Sequence, residues 1–200
     1  MQKTISKEAL SELPLQHFEG DVVVVEDESK IEELVRELEQ HSVIGFDTET
    51  KPSFQKGKVN KVALLQLATS DQGYLFRMNK TGFHPALVRL LENQDIAKIG
   101  VGIRDDLRGL NRLVPFKHAG FVELQDYVKQ VGIEDTSLRK LAGLVLHFRV
   151  SKRQRLSNWE APHLTPSQVI YAATDAWVAI ELYKKLTALF PKEEVQTLSI

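Results

Sequence analysis

Asp47 and Glu49 close the apolar run Val43-Ile44-Gly45-Phe46, and their types and spacing are the first sign of chemistry in this chain. Side chains two apart on a strand share a face, so the two carboxylates would project side by side from the strand's end. At a separation of roughly 6–7 Å and an effective dielectric of about 20, two ionised carboxylates repel by about 2–3 kcal/mol. A buried strand tolerates that only with a proton or a cation to offset it. The plain alternative is a strand that runs out into solvent with two acidic residues at its mouth.

A second acidic signal lies in Tyr171-Ala172-Ala173-Thr174-Asp175. Tyr171 and Asp175 are four apart on a helix and share a face with Val178 and Leu182, which are apolar. Asp175 therefore stands where a core residue belongs, and no lysine or arginine three or four residues away can pair with it. Either it coordinates a metal, or the helix turns it to solvent, or an arginine from elsewhere meets it. A third signal is Gly100-Val101-Gly102-Ile103-Arg104-Asp105-Asp106, where a strand ends in glycines and a helix begins. One aspartate there is expected to cap the helix and the other to point into the cleft beyond the strand ends.

The elements that must position these groups follow from the hydrophobic pattern. Val22–Val25 reads as a strand, 29–40 as a helix, and Val43–Thr48, Val62–Ala68 and Tyr74–Phe76 as three strands of one antiparallel unit. A helix is expected over 85–91, a strand near 96–100 and a helix from about 105 to 113. Beyond 121–124 the pattern is mostly helical, clearest over 137–146 and 166–189, where Thr165 suits a cap and Pro166 a first turn. The first 20 or so residues carry a weaker pattern and read as a partly ordered extension. No repeat or linker divides the chain.

Two hundred residues suit one domain with a core of its own. The absence of cysteine excludes disulfides, thiolate zinc sites and thiol catalysis, and fits a reducing interior. With 26 basic and 27 acidic residues there is no global positive field, so attraction to nucleic acid must come from a local patch. No run approaches a membrane span or a signal peptide, and the chain reads as soluble and intracellular, cytoplasmic with the nucleus not excluded. The six histidines lack metal-ligand spacing.

In order and context, FDTET at 46–50, GVGIRDDLRGL at 100–110 and YAATDAW at 171–177 resemble the three motifs of the DEDDy 3′→5′ exonucleases. The resemblance is closest to the Werner-type exonuclease domain, with ribonuclease D more distant, and it extends through KVALLQLATSDQGYLF at 61–76 and LSNWEAPHLTPSQVIYAATDA at 156–176. It covers about residues 22–190. It implies a ribonuclease-H-like α/β fold with a mixed five-stranded sheet flanked by helices, an exonuclease domain over 22–200 and an N-terminal extension over 1–21. Asp47 and Glu49 match the first motif, Asp175 the last acidic position and Tyr171 the group's tyrosine, while the family's register selects Asp106 over Asp105. Thr50 departs from many Werner-type members, which have an aromatic residue there.

The resemblance implies hydrolysis from a 3′ end, of DNA or RNA, that releases nucleoside 5′-monophosphates. Two ions, Mg²⁺ or Mn²⁺, suit an all-carboxylate set. In the family's pattern Asp47 bridges them, Glu49 and Asp175 hold the ion that activates water, and Asp106 acts through waters on the second. Tyr171 orients the attacking water, since a phenol with an ordinary pKa near 10 is a poor base at neutral pH. Lys152, Arg153 and Arg155, before Ser157-Asn158-Trp159, form the best basic patch, and Lys56, Lys58 and Lys61 a second. Trp159 reads as a packing residue beneath the last helix. The helical or helicase domains of larger relatives are not in this sequence, so a targeting partner protein is an expectation. The competing reading is a non-catalytic nucleic-acid-binding or scaffold module with the same fold.

Overall fold

The computed structural model describes residues 2–53, 55, 57 and 59–191. Its centre is one sheet of six strands: β1 (Asp21–Val25), β2 (Val43–Thr50), β3 (Val62–Ala68), β4 (Gln72–Arg77), β5 (Ala97–Gly100) and β6 (Phe121–Glu123). The strand order is β1-β4-β3-β2-β5-β6. Pairing is antiparallel within β2-β3-β4 and parallel for β1-β4, β2-β5 and β5-β6. The antiparallel unit is as expected. The sheet has six strands, not five, because Phe121–Glu123 adds a three-residue edge strand that is too short to carry a readable alternation.

Helices cover both faces. One carries α2 (Ile31–Leu38), α4 (Pro85–Glu92) and α5 (Ile103–Asn111) over a core that contains Ile44, Phe46, Leu65 and Leu67. The other carries the long α8 (Pro166–Leu189), with α6 (Leu124–Gln130) and α7 (Leu138–Leu141) beside it. A Thr165/Gln168 capping box starts α8, and Ala172, Ala173, Ala176 and Ala179 on it are buried. Gly45 lets this helix sit directly on β2, since a Cβ there would stand 1.9 Å from the Ala176 carbonyl oxygen. The helix expected over 137–146 changes character halfway. After α7 the turns widen into a π-helix over Ala142–Leu146, which ends at His147 in the left-handed region.

The first 20 residues are more ordered than their pattern suggested. They form α1 (Lys7–Glu12), whose Leu10 is buried against Gly143, and a strap along α8 in which Phe18 is buried. Its anchors mix backbone groups with a few side chains, among them Arg149, whose Nε donates to the Leu13 carbonyl at 2.9 Å. Gln16 N–H donates to the Arg149 carbonyl, Arg149 N–H to Pro14, and Phe18 N–H to Thr174 Oγ1 at 3.0 Å. The short α3 (Met78–Thr81) completes the fold, and no helix among the described residues is long and apolar enough to cross a membrane.

Candidate metal centre

Alternation along β2 sends Gly45, Asp47 and Glu49 toward α8, and Thr48 toward α5. The strand's register against β3 slips between Glu49 and Thr50, a bulge at the mouth of the sheet. Asp175 enters from the core-facing stripe of α8, buried at 8% exposure. One carboxylate oxygen from each of Asp47, Glu49 and Asp175 lies within 4.8 Å of the others. Residues 128 positions apart in the chain thus form one acidic cluster.

Asp106 stands beside this cluster, reached from the other side of β2. Its Oδ1 accepts a 2.5 Å hydrogen bond from Thr48 Oγ1, and its charge is felt at Asp47 and Glu49. Asp105 points away and pairs with Arg108 in solvent. Neither aspartate caps α5, contrary to the sequence-based expectation. The helix starts earlier, at Ile103, because Glu123 on β6 accepts the Gly102 and Ile103 amides at 2.8 Å each. A cap supplied from a distant strand has no local spacing to betray it.

Burial governs the electrostatics. Desolvation pushes Glu49 up to about 9 with help from Asp175 and Asp106, pushes Asp175 to about 7 against its hydrogen bond from Tyr171, and pushes Asp106 to about 6. Asp47 is raised well above the carboxylate range by burial and then by Asp106, Asp175 and Glu49. Tyr171 is raised too, first by burial and next by Asp175, so its hydroxyl keeps its proton. Among the described residues, Arg155 is the one cation that opposes the shift at Glu49.

Such a cluster needs protons or a cation. Its donors are all carboxylate oxygens, with no imidazole or thiolate among them, a set that suits a hard divalent ion. Gln66, the partner of Asp47 across the β2-β3 ladder, is fully buried and its carboxamide has no protein partner. The strand pattern absorbs it into an apolar run, although a lone polar residue in Val-Ala-Leu-Leu-Gln-Leu-Ala is a legible oddity.

Of the basic residues, Lys152, Arg153 and Arg155 are exposed near the cluster. Arg153 shares a cleft with Tyr171 and Asp175, and Lys152 lines the adjoining one. Lys61 is exposed just before β3, whose Val62 pairs with Thr50 at the mouth of the sheet. Lys56 and Lys58 lie outside the described residues. Trp159 is fully buried against Tyr171 and packs as expected.

A mixed sheet with helices on both faces and an all-carboxylate cluster at the end of its central strand defines an α/β domain of the ribonuclease-H-like kind. The chain belongs to the 3′-5′ exonuclease family, whose sequence profile matches residues 22–190. Among its relatives is the mouse bifunctional 3′-5′ exonuclease/ATP-dependent helicase WRN, 35% identical over 198 residues, an alignment that covers 94% of this chain and 14% of that protein. The chain spans half or less of the curated relatives it matches most strongly. In fold it is similar to the Aedes aegypti Nibbler EXO domain (TM-score 0.79, 24% identity, 91% of this chain and 94% of that one). It is also similar to Trypanosoma brucei RNase D in complex with RNA U12 (TM-score 0.74, 19% identity, 84% and 63%).

Proposed function

We propose that this chain is a metal-dependent 3′→5′ exonuclease that hydrolyses phosphodiester bonds from a nucleic-acid 3′ end and releases nucleoside 5′-monophosphates. The observation that carries the reading is the convergence of Asp47, Glu49 and Asp175 within 4.8 Å, in a member of the 3′-5′ exonuclease family. Two divalent ions, Mg²⁺ or Mn²⁺, would supply a hydroxide at neutral pH and charge stabilisation at the attacking and leaving oxygens.

The chain's own residues hold and orient. Asp47, Glu49 and Asp175 would hold the metal, and Asp106, held by its hydrogen bond from Thr48, would assist from beside them. Tyr171 holds its proton and donates it to Asp175, which leaves its oxygen free to accept from, and so aim, the attacking water. Arg155, whose field reaches Glu49, is suited to the scissile phosphate, with Lys152 and Arg153 on the flanking backbone. Lys61, exposed just before β3, would form a second phosphate contact, and in the sequence it is grouped with Lys56 and Lys58. The catalytic unit is residues 22–200, with 1–21 as an added segment. The RNA held by the trypanosomal ribonuclease D supports a nucleic-acid substrate and leaves the sugar open.

The test is release of mononucleotides from 5′-labelled DNA and RNA oligonucleotides with free or blocked 3′ ends, in Mg²⁺ or Mn²⁺ and again with EDTA. Stepwise shortening of the free-ended strands alone, stopped by EDTA, is the expected result. Binding without release from any strand assigns the chain to the non-catalytic reading.

A further inference from the structure

β3 is a central strand, bonded to β2 on one side and to β4 on the other, and every residue of it is buried. Gln66 is its one polar residue. Alternation turns Gln66 toward α8, together with Leu64 and Ala68, which pack on Ala172 and Ala176 of that helix. Its side chain is fully enclosed, and neither Nε2 nor Oε1 has a hydrogen-bond partner among the described residues. No other described side chain is left with two such atoms. An unpaired buried carboxamide destabilises a fold, so its presence in an otherwise apolar strand points to a partner that it acquires.

The neighbours on that face decide which partner. Directly opposite Gln66 stand Leu75 on β4 and Asp47 on β2, and such cross-strand pairs bring Cβ atoms to about 4.5–5.5 Å. Of the two, only Asp47 can bond an amide. Its Oδ1 accepts the Thr48 N–H at 2.9 Å, whereas Oδ2 has no donor among the described residues. Arg77, a diagonal step away on β4, donates from its two terminal nitrogens to Glu26 and to the Ala161 carbonyl.

We propose that Gln66 is a positioning residue for the metal held by the cluster: its amide N–H donates to the oxygen of Asp47 that Thr48 leaves free, and so fixes the plane of that carboxylate. The two side chains face each other across the ladder without a hydrogen bond in this structure, and a small turn of either one makes it. A ligating carboxylate keeps lone pairs that the ion does not use, and a hydrogen bond to an ionised oxygen is the stronger kind. Gln66 is suited to supply it, because both neighbouring strands lock its backbone in place. The proposal rests on metal binding by the cluster, not on nuclease activity.

The test titrates Mn²⁺ into the full chain by isothermal calorimetry without nucleic acid, for wild type, Gln66→Met and Gln66→Leu, and melts each protein in EDTA. Both variants should bind Mn²⁺ at least tenfold more weakly than wild type, within the roughly 10–100-fold that follows loss of a metal ligand's hydrogen-bond partner. Their melting temperatures in EDTA should stay level or rise, since apolar atoms replace an unpaired amide. A packing role would move both readings down together. Gln66→Met, the closer in shape, decides if Gln66→Leu fails to fold. Wild-type Mn²⁺ affinity in a folded variant would overturn the proposal, as would a lower melting temperature of Gln66→Met in EDTA. Wild type that binds no Mn²⁺ at millimolar concentration would sink metal binding and the role of Gln66 together. Mononucleotide release on the same preparations keeps the readings apart: release by wild type with unchanged Mn²⁺ affinity in the variants sinks only the role of Gln66, and weakened Mn²⁺ binding in the variants with no release by wild type sinks only the nuclease.

Discussion

Asp175 is a carboxylate on a stripe otherwise built for packing, and that placement sets what its removal does. Without metal, an ionised Asp175 is costly, because burial strips its water and Asp47 and Glu49 crowd it. Asp175→Asn should therefore raise the metal-free melting temperature at pH 8 while it lowers cleavage by about 10³-fold or more, a loss of roughly 4 kcal/mol in transition-state stabilisation. A thermal melt and a rate on one preparation check both halves. Asp106→Asn should cost far more activity than Asp105→Asn, because Asp105 is held only by an exposed ion pair with Arg108, worth about 0–1 kcal/mol. Stability against pH follows from the raised carboxyls. The unfolded chain loses these protons near 3.8 for aspartate and 4.5 for glutamate, whereas the folded one keeps them to about 6 at Asp106, 7 at Asp175 and 9 at Glu49. The native state binds more protons across that window, so metal-free stability should fall as pH rises from about 4 to 9. Saturating Mn²⁺ should flatten the fall, and denaturant titrations at several pH values with and without Mn²⁺ measure it.

At the scale of elements, the site depends on how closely α8 approaches β2. Gly45→Ala would place a methyl group against the Ala176 carbonyl and push the helix, and Asp175 with it, off the strand. The expected result is a loss of about 1–3 kcal/mol of stability, with activity reduced more than stability alone explains, read from a denaturant melt and a rate below the unfolding transition. The helix itself was legible to the residue, since Thr165 and Pro166 announce its start and its stripe is continuous. The pairing of Asp47 with Glu49 was legible for the same reason, a period of two along one strand. The start of α5 was not. Its cap, Glu123, comes from a strand 20 residues on, and only the folded sheet brings that carboxylate to the Gly102 and Ile103 amides. Likewise the sixth strand is three residues long and exists because β5 offers it an edge.

For the whole molecule, a metal that binds only the native state would make binding and folding one equilibrium. A ligand at 100 times its dissociation constant that binds only the native state adds about 2.7 kcal/mol, or roughly 5–10 °C in a chain of this size. Several millimolar Mn²⁺ should produce a shift of that order in wild type and little in Asp47→Ala, which differential scanning fluorimetry resolves. Motif and spacing pointed to the carboxylates that the fold brings together, Asp47, Glu49 and Asp175, but the molecule's outer layer was less legible. The strap before β1 is tied down by its own backbone groups, paired with Arg149 and Thr174 more than 130 residues away, so no local side-chain pattern marks it.

The distance in sequence between Asp47 and Asp175 also bears on how the chain comes into being. Contacts this far apart form late, because loop closure must be paid before they stabilise anything. During synthesis β2 emerges long before α8, and the strap waits still longer for Thr174, its partner 156 residues away. A nascent chain that ends before α8 has Asp47 and Glu49 at the mouth of the sheet, with Asp106 beside them, but no Asp175 to close the cluster. The acidic centre is therefore absent from every growing chain that is still short of residue 175, and it is born only when the last helix docks.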